Sequence, residues 1–187
     1  MRDQPVGEFL EQLAARVSAP GGGATAALHA AQSAALLGMV ARYSDGPKYD
    51  AAAVSAVLTE ADALRVEALQ LAEDDAAAFT AVTDAYKLPK GPERSAAIAE
   101  ALVGAAIPPN STIAVAERLV ALAESLLPIG NRNVITDVAA AAEAARAAAT
   151  TARVNVEING AVVESDVDAL AARADQVTAL VRKEIAR

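Results

Sequence analysis

Residues 17–49 read VSAPGGGATAALHAAQSAALLGMVARYSDGPKY, and how this stretch is read decides the fold. Three glycines stand directly before an alanine-rich run, Ala24 to Ala41, with no formal charge beyond what His29 carries. Gly21, Gly23 and Ala26 match the G-x-G-x-x-A spacing of a dinucleotide fingerprint, with Asp45 near the place of a ribose-binding acid. That fingerprint follows a strand, whereas the preceding EFLEQLAARV (residues 8–17) has a helical apolar period. A P-loop needs a Gly-Lys-Ser/Thr ending, and no lysine follows these glycines. A membrane span is disfavoured too. Thr25, His29, Gln32 and Ser33 interrupt the run, alanine adds little to insertion, and no second span is expected. The stretch therefore predicts a helix buried inside a bundle or a dimer. Its glycines are either a tight helix–helix corner or a helix N-terminus whose free N–H groups face a ligand.

Composition agrees with a helical bundle. The chain has 187 residues, the length of one domain, and is 54% hydrophobic but only 3% aromatic. Alanine supplies much of that apolar content, so the core is built from small side chains. Each buries little area, and long helices and subunit association are the usual compensation. The net charge of -8 argues against nucleic-acid binding, which wants a basic face. There are no cysteines and one histidine, so thiolate sites are excluded and no metal or cofactor site is recognisable. The N-terminal residues lack the apolar core of a signal peptide, which makes the cytoplasm the expected location.

Going outward from the opening stretch, Val6, Phe9, Leu10, Leu13 and Val17 predict an amphipathic first helix, and about Gly23–Tyr43 a second. A long third helix is expected from Asp50 to about Tyr86, with an apolar stripe through Val54, Val57, Ala61, Leu64, Ala68, Leu71, Phe79 and Val82. KLPKGPE (residues 87–93) stops it. ERSAAIAEALVGAA (residues 93–106) is a shorter helix, IPPNS (residues 107–111) breaks again, and Ser111 is a candidate cap for a helix reaching about Leu127. PIGNRN (residues 128–133) leads into Val134–Ile158, and Val163–Arg187 closes the chain. No strand is predicted. The expectation is one all-α domain over residues 1–187, an antiparallel bundle of about six to seven helices, dimerising through long alanine-rich helices.

Several polar residues break the apolar pattern. Stepping four residues from Leu71 reaches Asp75, and four more reach Phe79, so Asp75 projects from the apolar face of the third helix. A carboxylate there is either bonded to a helix end or an arginine, or is a general acid/base whose pKa burial has raised. Lys90 follows Leu88-Pro89 in a stiff turn, as a surface lysine or as an acid for a departing nitrogen. Asn131, Asn133 and Asp137 stand at a helix start, where an asparagine is either a cap or a ligand group. Asn155 and Asn159, four apart, share a helix face, and their amides suit a heteroaromatic ligand as well as a turn.

SAPGGGATAAL (residues 18–28), PKY (47–49), EDDAAAFTAVTDAYKLPK (73–90), GNRNVITD (130–137) and ARVNVEIN (152–159) occur in order. With these motifs the chain resembles the cyclodeaminase domain of formiminotransferase-cyclodeaminase and its stand-alone bacterial relatives, over roughly Phe9 to Val163. The resemblance implies an all-helical homodimer that takes a tetrahydrofolate derivative as substrate, in a pocket between helices near the subunit interface. Carried over residue by residue, it puts the family's helical Asp on Asp75 and its Leu-Pro-Lys lysine on Lys90, with Asp75 expected as base and Lys90 as acid or cation stabiliser. Gly21, Gly22, Gly23, Asn131, Asn133, Asp137, Asn155 and Asn159 become substrate-binding residues. The expected activity is formimidoyltetrahydrofolate cyclodeamination. Methenyltetrahydrofolate cyclohydrolysis and a non-catalytic folate-binding dimer are the alternatives. Two departures from the family pattern are the double proline Pro108-Pro109 and the single lysine before Tyr49.

Overall fold

A computed structural model describes residues 3–186. The described residues form an all-α bundle of α1 (Val6–Ala14), α2 (Gly22–Arg42), α3 (Ala51–Lys87), α4 (Pro92–Ala105), α5 (Ile107–Leu126), α6 (Ile135–Ile158) and α7 (Val167–Ile185). A single 3₁₀ turn, Arg132–Val134, leads into α6.

Side-chain pairs fix the helix directions. Along α2 and α3, Arg42 bonds Asp62 while Gly23 lies against Asp75, so these two helices are antiparallel. Along α2 and α6, Gly22 lies against Asn155, while Val40 and Ser44 meet Gly130 and Asn131, so this pair is antiparallel as well. α2 is thus flanked lengthwise by α3 and α6, with α5 also packed on it. Small side chains allow this close approach. Ala26, Ala30 and Ala34 of α2 and Ala141, Ala145, Ala148 and Ala152 of α6 are all buried. α1 packs only lightly on the rest of the chain. Its apolar stripe and Leu28, His29 and Leu69 line a groove, so His29 lies in a groove wall.

Local chemistry accounts for the helix boundaries. Asp50 caps α3 by accepting from Ala52 and Ala53 N–H, and Asp166 caps α7 by accepting from Ala169 N–H. α7 therefore starts later than the predicted Val163. The first helix ends at Ala14, short of Val17. IPPNS is not a break: α5 begins at Ile107, with Pro108 and Pro109 in its first turn and Ser111 inside the helix. Proline is tolerated there because first-turn N–H groups have no intrahelical acceptor. Two segments are long and apolar enough to cross a membrane, Gly22–Arg42 and Pro92–Leu126, where the sequence reading found at most one. The first is largely buried between neighbouring helices, and the second is interrupted at Ala106.

The apolar stripe of α3 is buried at Val54, Val57, Ala61, Leu64 and Ala68 and half-buried at Leu71, but Phe79 is 45% exposed. α3 is 37 residues long against 21 for α2. Past Asp75 it outruns the end of α2, and α4 folds back beside it.

The close α2–α6 contact generates a stability prediction. Ala145 is fully buried. Ala145→Leu overfills the contact and is expected to cost about 1–3 kcal/mol, read as a lower urea midpoint at unchanged slope.

Candidate active site

The N-terminus of α2 forms the floor of a cavity of ≈ 140 Å³ lined by Ser18, Gly21, Gly22, Gly23, Asp75, Phe79, Ala105, Asn155, Ile158 and Asn159. Gly21 precedes the helix in an extended conformation and, as the N-cap residue, has no side chain to cap the end. The first-turn N–H groups of α2 therefore need an acceptor from elsewhere. Asp75 reaches across from α3, and Ala24 N–H donates to its carboxylate.

Asp75 sits under two opposing influences. Burial raises its pKa above the ordinary 3.8, and the hydrogen bond from Ala24 lowers it. Burial is the larger, so the net direction is upward. Gly23 makes the placement of Asp75 possible. A Cβ at Gly23 would fall inside the van der Waals shell of Asp75 Oδ1, whereas one at Gly22 would make ordinary contact with Asn155 Nδ2 at 3.5 Å. Only one of the three glycines is required by close approach to the carboxylate.

The opposite wall comes from the end of α6. Asn155 Nδ2 donates to Thr151 O at 2.9 Å. Asn159 Nδ2 donates to Asn155 O at 2.9 Å and to Ala105 O at 3.0 Å. Both amide nitrogens are turned to backbone carbonyls. Their Oδ1 atoms remain as acceptors for ligand N–H groups.

The remaining residues singled out in the sequence lie elsewhere. Asn131, Asn133 and Asp137 are at the opposite end of α2, roughly 30 Å away for a helix of that length. Asn131 is engaged there in structural bonds. Its N–H donates to Ser44 Oγ at 2.8 Å, its Nδ2 to Tyr43 O at 2.7 Å, and its Oδ1 accepts from Asn133 N–H at 3.0 Å. It is a cap that ties the entry of α6 to the exit of α2. Asn133 is exposed and Asp137 is half-buried in the first turn of α6. Lys48 lies over the Tyr49 ring, 4.8 Å from its centroid.

Lys90 is exposed in the turn between α3 and α4. From Asp75 to the end of α3 at Lys87 is about 18 Å of helix, so one chain does not bring Asp75 and Lys90 to a common atom. The sequence reading missed the remaining lining residues, Ser18, Ala19, Phe79, Ala105 and Ile158. Phe79 and Ile158 did carry a signal, since each lies one helical turn from a polar lining residue, Asp75 and Asn155.

Comparison with known proteins places this geometry in a family. The formiminotransferase-cyclodeaminase family model matches residues 5–178. A methenyltetrahydrofolate cyclohydrolase of Methylorubrum extorquens is 36% identical, the match covering 84% of this chain and 79% of that protein. The formimidoyltransferase-cyclodeaminase of Mus musculus is 33% identical over 81% of this chain but only 29% of its own length. The crystal structure of a formiminotetrahydrofolate cyclodeaminase from Thermotoga maritima superposes with a TM-score of 0.82 at 27% identity, covering 97% of this chain and 96% of that one. An all-helical bundle, an acid on the N-terminus of its central helix and a family match over nearly the whole chain agree, and the chain belongs to the formiminotransferase-cyclodeaminase family.

Proposed function

We propose that this chain is a one-carbon folate enzyme in which Asp75 moves a proton at the carbon bridging N5 and N10 of tetrahydrofolate. The carrying observation is the Asp75 carboxyl group seated on the N-terminus of α2 with its pKa raised by burial. The first reading is cyclodeamination. Asp75 takes the N10 proton as N10 bonds the formimino carbon, and ammonia leaves once its nitrogen is protonated. The Thermotoga maritima cyclodeaminase, superposable over nearly the whole chain, supports it. The second reading is cyclohydrolysis, favoured by the identity to the Methylorubrum extorquens protein. There Asp75 takes a proton from the water that adds to the methenyl carbon, and the N5–carbon bond breaks.

At ≈ 140 Å³ the cavity takes the reacting end of a folate and leaves the rest outside. The Oδ1 atoms of Asn155 and Asn159 would accept from pterin N–H groups. Tetrahydrofolate enters as substrate, and this chemistry calls for no further cofactor. The proposed location is the cytoplasm.

Lys90 fits the acid role only if a second copy of the chain supplies it. The outer face of α2 and α6 suits such pairing. Gln32, Ala35, Leu36, Met39, Ala140 and Ala144 form an open apolar shelf there without a formal charge, in a chain of net charge -8. A homodimer through this face is part of the proposal.

Offering purified protein 5-formimino- and 5,10-methenyltetrahydrofolate separates the readings. Gain of the methenyl near-UV absorbance marks a cyclodeaminase, its loss a cyclohydrolase, and binding without either change a non-catalytic binder. Asp75→Asn is expected to lower turnover by ~10²–10⁴-fold. The same variant should be the more stable protein at neutral pH. A carboxyl group whose pKa is raised on folding loses stability as pH rises from its ordinary value through its folded one. Thermal melts at several pH values should show the gap between variant and wild type widening over that range. Gly23→Ala should displace the carboxylate and cut turnover by at least about tenfold, while Gly22→Ala changes it little. Asp75→Asn and Lys90→Met are each expected to be inactive alone. Unfolded and refolded together, they should regain up to about a quarter of wild-type activity in mixed dimers that hold one intact site. Absence of any recovery removes the shared-site assignment of Lys90.

A further inference from the structure

We infer that Phe79 and Ile158 are positioning residues that hold the flat ring system of the substrate on edge above the N-terminus of α2. The inference rests on the proposed folate reading and concerns how that same site grips its substrate. Gly23 lies level with Asp75, and Gly22 lies level with Asn155. α3 and α6 both run antiparallel to α2, so the next residues along each pass beyond its first turn. Four residues on from Asp75 is Phe79, and three on from Asn155 is Ile158. That is about 6 Å and 4.5 Å along the respective helix axes. Both border the cavity, from helices on different sides of α2.

Neither is placed by the needs of the core. Phe79 is 45% exposed and Ile158 is 79% exposed. The chain has two phenylalanines and no tryptophan, and the other phenylalanine, Phe9 of α1, is buried. A large apolar group thus stands on each flank of a cavity whose floor carries backbone N–H groups and a carboxyl group, with Asn155 and Asn159 in its wall. A slot with a polar floor and apolar sides matches a flat heterocycle that has hydrogen-bonding edges and apolar faces. The ring edge meets Asp75 and the asparagines, and its faces meet Phe79 and Ile158. Burial of these two side chains against the ring would also shield the Asp75 carboxyl group from bulk water once substrate is bound.

The test uses the full chain and whichever of 5-formimino- or 5,10-methenyltetrahydrofolate the wild type turns over. Phe79→Ala should raise KM about tenfold or more, the order expected for losing one stacking ring, with kcat within about threefold of wild type. Phe79→Tyr should restore KM. Ile158→Ala should raise KM by a smaller factor, and the melting temperatures of all three variants should stay near wild type because both positions are exposed. Unchanged KM in both alanine variants overturns the inference. So does a loss confined to kcat, or a failure of tyrosine to rescue while leucine does. A wild type that neither binds nor turns over either folate instead overturns the functional reading, and the slot with it.

Discussion

The placement of one carboxyl group on one helix end organises this molecule. Asp75 meets the N-terminus of α2 from the side, within hydrogen-bonding reach of Ala24 N–H. That contact needs α3 close to α2 along its whole length, since a wider spacing would leave the carboxylate short of the helix end. The alanines of α2 set the spacing, and Gly23 sets it at the point of contact. The small-residue composition is therefore more than a way to pack a bundle. It brings α3 and α6 near enough to one helix terminus for Asp75 and Asn155 to share it. The helix end favours the ionised acid, burial favours the neutral one, and burial is the larger effect. The outcome is a carboxyl group whose pKa lies above its ordinary value.

The two ends of the antiparallel α2–α6 pair are made of the same residue type and serve different purposes. At one end Asn131 spends its amide on Tyr43 O and on Asn133 N–H, which locks the entry to α6 against the exit from α2. At the other end Asn155 and Asn159 turn their nitrogens to backbone carbonyls, and both residues line the cavity. The partners of each amide separate the two cases. In the sequence both clusters look alike, as asparagines near a helix boundary.

That contrast marks how far the sequence could be read. The helices were legible because their apolar period is strong, and Asp75 was legible because it interrupts that period at a core position. The helical course through Pro108-Pro109 was not, since a double proline signals a break unless it falls in a first turn, and that depends on where the helix begins. Phe79 continued the apolar stripe and was read as core. What exposes it is the difference in length between α3 and α2, a tertiary property that no local window contains. Lys90 was legible as a distinctive lysine but not in its distance from Asp75, which follows from the straight run of α3 to Lys87.

The same reasoning bears on why relatives of this chain carry the names of two reactions. On the proposed reading both involve one bridge carbon, one proton taken by Asp75 and the same pterin edge held by the asparagines. None of these groups distinguishes a departing ammonia from an attacking water. On that reading the reactions differ in what the bridge carbon carries: a formimino nitrogen that must be protonated to leave, or a water that must lose a proton to add.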